Sequence, residues 1–174
     1  MKGVIGICLN EVIVKRFGDE KWRNILKTAG LPETTRFMAV QDVEDSTIMA
    51  VFKATCSVLN LSSGAAADAF GEYWCCEYAP RIYGAYFKGA RGAKEFLMRM
   101  ADVHKQVTNT IANAHPPEFT FQQPAPDKLV MNYISKRGLG DIFVGVVKGV
   151  GRHFKEDLKI RRLGRSSVEI TFAR

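Results

Sequence analysis

Apolar residues recur at three- and four-residue spacing through most of the first two-thirds of the chain, a period that predicts helices. Residues 4–15 are apolar with few breakers, and 18–29 follow as a short amphipathic helix stopped by Gly30 and Pro32. Asp45, Ser46 and Thr47 offer an N-cap for a helix through Val58. Leu61, Ser62 and Ser63 cap another, which passes Phe70, Tyr73, Trp74 and Tyr78 and is expected to end at Pro80. After the glycine turn at 89–92, Phe96, Leu97, Met100, Val103, Val107 and Ile111 mark one long amphipathic helix ending before Pro116 and Pro117.

Beyond those prolines the period changes to two. Phe119 with Phe121, then Leu129 with Met131 and Tyr133, alternate as strands do, with a turn at 124–127 between them. A long helix is expected over 139–158, with Ile142, Val146 and Val150 on one stripe. Two short strands at 159–162 and 167–172 close the chain around Leu163 and Gly164. The fold class is therefore α+β: a helical part over about 1–115 packed on an antiparallel sheet with its long helix over about 116–174, in a single domain spanning 1–174.

The chain has 174 residues, 47% of them apolar, enough for one substantial core. Its formal charge of +7 would suit a nucleic acid or an acidic partner. Much of it lies late, at Lys148, Arg152, Lys155, Lys159, Arg161, Arg162, Arg165 and Arg174, with no helix-turn-helix, finger or aromatic RNA-binding signature beside it. A solvated basic face accounts for that run, and a basic binding domain is the alternative. Cys8, Cys56, Cys75 and Cys76 lack zinc-site spacing and read as reduced core thiols. No apolar run approaches the roughly 18 residues of a membrane span, and no signal peptide precedes Met1, so a cytoplasmic location is expected.

Two features carry chemistry. His104 lies on the apolar stripe of its helix, with Leu97 and Met100 before it and Thr108 and Ile111 after it. Such a histidine fits a satisfied core residue as readily as a ligand, although imidazole is a standard donor to haem iron. Tyr133, Ser135 and Arg137 stand at i, i+2 and i+4 of an expected strand, so one face would carry a phenol, a hydroxyl and a guanidinium. That is a donor set for a carboxylate or phosphate; a solvated strand end is the other reading. Gly145 and Gly149 allow close approach of a helix or a flat ligand. No catalytic triad order, P-loop or paired-carboxylate motif stands out.

Together these residues resemble the haem nitric oxide/oxygen binding family, which includes the sensor domain of soluble guanylate cyclase and bacterial relatives. The resemblance spans nearly the whole chain: Met1-Lys2-Gly3, Phe17-Gly18, Trp22, Phe96-Leu97-Met98, Val103-His104, Pro116-Pro117, and the family's diagnostic Tyr-x-Ser-x-Arg as Tyr133-Ile134-Ser135-Lys136-Arg137.

The resemblance implies a haem b buried between the helical part and the sheet part, with His104 as the iron's protein ligand and Tyr133, Ser135 and Arg137 on its propionates. It implies that Pro117 presses on the porphyrin and that Ile5, Leu9, Trp74, Tyr78, Ile142 and Val146 border the distal side. Family members that hold oxygen stably carry a tyrosine seven residues after the motif serine, and here that position is Ile142. The implied function is a sensor, not an enzyme, binding nitric oxide and carbon monoxide without a stable oxygen complex. Its implied signalling partner is a histidine kinase, a cyclic-dinucleotide enzyme or a chemotaxis receptor.

Overall fold

The computed structural model describes residues 1–109 and 111–173. The chain opens with α1 (Val4–Phe17), α2 (Asp19–Thr28), α3 (Asp45–Leu59) and α4 (Ser63–Tyr73). Ser62 caps α4, its hydroxyl accepting from the Ala65 N–H at 3.2 Å. Buried Cys8, Leu9, Val12, Trp22, Ile25, Leu26, Ile48, Val51 and Phe52 form the apolar cluster among these helices.

The helix carrying Trp74 does not stop at Pro80. A π-helical turn (Trp74–Tyr78) follows α4 directly and passes into α5 (Ala79–Lys88), with the proline in its first turn. A proline there gives up an N–H that has no helical partner anyway, so it starts a helix as readily as it ends one. The expected long helix before Pro116 is also two helices, α6 (Ala93–Met98) and α7 (Met100–Thr108), broken at Arg99, whose ψ of -3° leaves the helical path.

The C-terminal part follows its period-two pattern. Strands β1 (Glu118–Ala125) and β2 (Lys128–Ile134) form a hairpin, α8 (Gly140–Phe154) crosses, and β3 (Leu158–Arg162) and β4 (Ser167–Phe172) complete an antiparallel sheet in the order β1-β2-β4-β3. The register sets Phe119 opposite Tyr133, Phe121 opposite Met131, and Leu129 opposite Ile170. Leu129, Met131, Val168 and Ile170 share the buried face with Phe143, Val147 and Val150 of α8.

α8 meets α4 at backbone distance. A Cβ at Gly145 would lie 2.1 Å from the Ala67 carbonyl oxygen, and one at Gly149 would lie 2.1 Å from that of Gly71. The spacing of these glycines thus serves a helix crossing. Because the obstacle is backbone and not a flexible side chain, Gly145→Ala is expected to destabilise the fold by about 1–3 kcal/mol, read as a lower urea midpoint.

Two expectations about composition change. Cys8 and Cys75 are buried, but Cys56 is only half-buried and Cys76 is exposed, since neighbouring residues on the π-helical turn face different sides. Among the late bases, Lys148 pairs with Asp68, Arg152 with Glu72, Arg161 with Glu169 and Arg162 with Asp141; Arg174 lies outside the described residues. The basic run is thereby partly neutralised within the fold. Among the described residues, no single helix is long and apolar enough to cross a membrane.

Candidate functional site

A cavity of about 880 Å³ lies between the helices and the sheet, within the size range of small-molecule and cofactor sites. Its walls come from the start of α1, the π-helical turn, α7, the loop through Pro117, the inner face of β1 and β2, and α8. Most of that surface is apolar, as a flat hydrophobic ligand requires.

His104 reaches the cavity from α7. Its ring stacks on Phe119 at 5.4 Å with 28° between the planes, which fixes its orientation. Its Nδ1 is a buried polar atom with no hydrogen-bond partner. A buried polar group without a partner is costly unless something absent supplies one. Burial also pushes the imidazole pKa down, favouring the neutral ring whose lone pair can bind a metal. The helix itself is unusual: α7 has no buried side chain, because Met100, Val103, His104, Val107 and Thr108 line the cavity. Whatever fills that space completes the packing of α7.

Tyr133, Ser135 and Arg137 are not on one strand, as β2 ends at Ile134 and the chain turns through a positive φ at Gly138. The alternation nevertheless persists, since Tyr133, Ser135 and Arg137 are the more buried residues and Ile134 and Lys136 the exposed ones. Tyr133 stacks on Phe143 at 5.4 Å and, like Arg137, lines the cavity. Ser135 does not reach the cavity lining, and its hydroxyl accepts from the Arg137 backbone N–H at 3.2 Å.

Arg137 is already engaged, by partners that no local pattern announces. Its Nε donates to Asp45 at 2.7 Å and an Nη donates to the His115 carbonyl at 2.7 Å. Asp45 also accepts from the Met1 ammonium at 2.6 Å. Partial burial alone would push the Asp45 carboxyl up, but those two cationic donors outweigh it and hold it below its usual range. A carboxylate entering the cavity would compete with Asp45 for the guanidinium.

On the wall formed by α1, the π-helical turn and α8, Ile5, Trp74, Tyr78, Ile142 and Val146 all line the cavity, as does Pro117 at the loop. Leu9 does not: it lies one turn along α1, buried toward α3 and α4, beside a separate small void with Val12, Phe52 and Phe70. Phe70, Trp74 and Tyr78 form a continuous stack, at 5.9 Å and 5.4 Å between successive rings, and the Arg81 guanidinium covers Tyr78 at 5.2 Å. Phe119 and Asp45 line the cavity although no motif marked them.

The resemblance would place Arg137 on a haem propionate, and loss of its guanidinium tests that assignment. Arg137→Ala is expected to weaken haem retention by about 10- to 100-fold, the equivalent of a charge-assisted contact of roughly 1.5–3 kcal/mol in a partly buried site. Tyr133→Phe and Ser135→Ala should each cost less. Equal haem dissociation rates for wild type and Arg137→Ala would falsify the propionate assignment.

Comparison with known proteins agrees with this geometry. The haem-NO-binding family profile matches residues 2–162. The chain is 27% identical over 173 residues to the soluble guanylate cyclase gcy-37 of Caenorhabditis elegans, a match covering 95% of this chain and 24% of that protein. The chain thus spans about a quarter of the length of that relative. An oxygen-binding H-NOX domain related to soluble guanylate cyclases, solved as its oxygen complex, superposes with a TM-score of 0.84 at 25% identity, covering 100% of this chain and 96% of that one. An H-NOX protein from S. oneidensis in the Fe(II)NO state superposes with a TM-score of 0.89 at 17% identity over the whole of both chains. With a family match across nearly its full length and the same fold as these domains, the chain belongs to the haem-NO-binding (H-NOX) family of haem-based gas sensors related to soluble guanylate cyclase.

Proposed function

We propose that this chain senses nitric oxide, and binds carbon monoxide, at a ferrous haem b held by His104 on the iron and by Tyr133, Ser135 and Arg137 toward the propionates, and that it retains no oxygen in air. When bound, the haem would supply an iron centre able to take up a diatomic gas. The rest of the work falls to the protein's side chains. Oxygen gains charge on binding and needs a hydrogen-bond donor nearby, whereas nitric oxide and carbon monoxide depend on one far less.

The observation that carries this reading is Ile142 on the cavity wall, where a donor would be required. Ile5 and Val146 extend the same apolar surface. Trp74 and Tyr78 also line the cavity and carry an N–H and an O–H, and Tyr78 is stacked between Trp74 and the Arg81 guanidinium. A relative with the same fold is an oxygen-binding domain, so the architecture alone does not decide which gas is held, and this reading rests on the wall residues. The test is to expose reduced protein to air, to carbon monoxide and to nitric oxide. Distinct spectra with the latter two and no persistent oxygenated spectrum are expected; a long-lived spectrum with split visible bands in air overturns the selectivity.

The same reading makes α7 the output element. His104 would be its tether to the iron, and because no residue of α7 is fully buried the helix would be able to shift if that tether weakened, biasing a two-state change between the helical and sheet parts. The chain then acts by relay, with a histidine kinase, a cyclic-dinucleotide enzyme or a chemotaxis receptor as the partner.

A further inference from the structure

The mouth of the cavity is fastened by contacts separate from the haem-holding residues. The Lys2 ammonium donates to the Asp42 carboxylate at 2.6 Å, to the Ala112 carbonyl at 2.5 Å and to the Val40 carbonyl at 3.5 Å. All three of its protons therefore have acceptors. The Asn113 side-chain amide donates to the other Asp42 oxygen at 3.3 Å. Asn113 itself sits in the left-handed region, with φ of 55°, a conformation asparagine tolerates better than most residues and that surrounding contacts must maintain. The Lys2 side chain is 15% exposed while Asp42 is 58% exposed, so the ion pair closes over the cavity from outside. Lys2, Val40, Asp42 and Asn113 are themselves part of the cavity lining.

These contacts join segments distant in the chain: the start of α1, the connection between α2 and α3, and the loop 111–117 after α7. Most of the remaining cavity wall comes from helices and paired strands. At this seam the loop is held by side chains outside the haem-holding set: Lys2 on Ala112 and Asn113 on Asp42. Each contact is weak alone and partly screened by salt. That combination suits a closure that must hold and yet release.

We propose that Lys2 is a latch on the cavity, and that its release from Ala112 and Asp42 opens the route by which haem enters and leaves between the loop 111–117 and the α2–α3 connection. The proposal rests on the cavity being the haem chamber. Lys2 is a positioning residue here, acting through the loop and not on the iron.

The test measures haem loss from the holoprotein to an excess of colourless apo-globin. Lys2→Met is expected to lose haem about tenfold faster than wild type, the effect of removing one multiply bonded charged donor, while Lys2→Arg stays near wild type. Raising salt from about 0.1 M to about 1 M, which shortens the screening length from about 10 Å to about 3 Å, should accelerate loss from wild type and change Lys2→Met little. Asp42→Asn, at an exposed position, should act in the same direction as Lys2→Met and serves if that variant folds poorly. Equal loss rates across the variants overturn the latch. If the wild type purifies colourless, the haem reading fails, and the latch is judged by hydrogen exchange of amides 111–114: faster exchange in Lys2→Met supports it and equal exchange overturns it.

Discussion

His104→Gly is expected to purify without stable haem and to regain it when imidazole is supplied. The expectation rests on an unpartnered Nδ1 on a ring stacked against Phe119 and facing the cavity. Removing the iron's protein donor should lower haem retention by more than the roughly 10- to 100-fold lost when a metal ligand is deprived of its own hydrogen-bond partner. Unfolding does not explain the loss, because glycine within a helix costs only about 1 kcal/mol relative to alanine, and free imidazole repairs coordination but not helix propensity. A glycine variant that keeps full haem with an unchanged ferrous spectrum excludes His104 as the ligand.

Ile142→Tyr is expected to gain an oxygen complex that survives in air. Ile142 lies in the first turn of α8 on the cavity wall, so a phenol there has open space ahead of it. A hydrogen bond to a charged acceptor contributes roughly 1.5–3 kcal/mol, which corresponds to about 10- to 150-fold in oxygen affinity. Carbon monoxide affinity, less dependent on a donor, should change far less. If the wild type already holds oxygen and Tyr78→Phe abolishes it, the donor is Tyr78 and the assignment to position 142 is wrong.

Elements set by local periodicity were legible in the sequence, and those set by distant partners were not. The change of period after Pro117 located both hairpins, since alternating burial along β2 and β4 is written directly in residue order. Arginine is a good helix former, so nothing at Arg99 announced the break between α6 and α7. Pro80 was ambiguous for the opposite reason: proline suits both sides of a helix boundary, and the π-helical turn that joins α4 to α5 has no residue signature. In the site, His104 and Tyr133 were visible because their neighbours repeat at helix or strand spacing. The Arg137–Asp45 and Lys2–Ala112 contacts span 92 and 110 positions, and such pairs leave no local pattern. Leu9 shows the limit of extending a helical stripe: it follows Ile5 by one turn, but by then α1 has left the cavity and packs against α3 and α4.

The strand order β1-β2-β4-β3 leaves β1 and β3 each with one unpaired rim, where another copy's strand could add and begin aggregation. Along β3 that rim carries Lys159 together with Arg161 and Arg162, the two arginines paired with Glu169 and Asp141, and a strand laid against it would have to crowd these long charged side chains. On β1 the pairing register slips between Gln122 and Ala125, around Pro124, which has no N–H to donate. One rim is guarded by charged side chains and the other by a proline. The sheet that backs the cavity is thereby guarded against edge-to-edge growth.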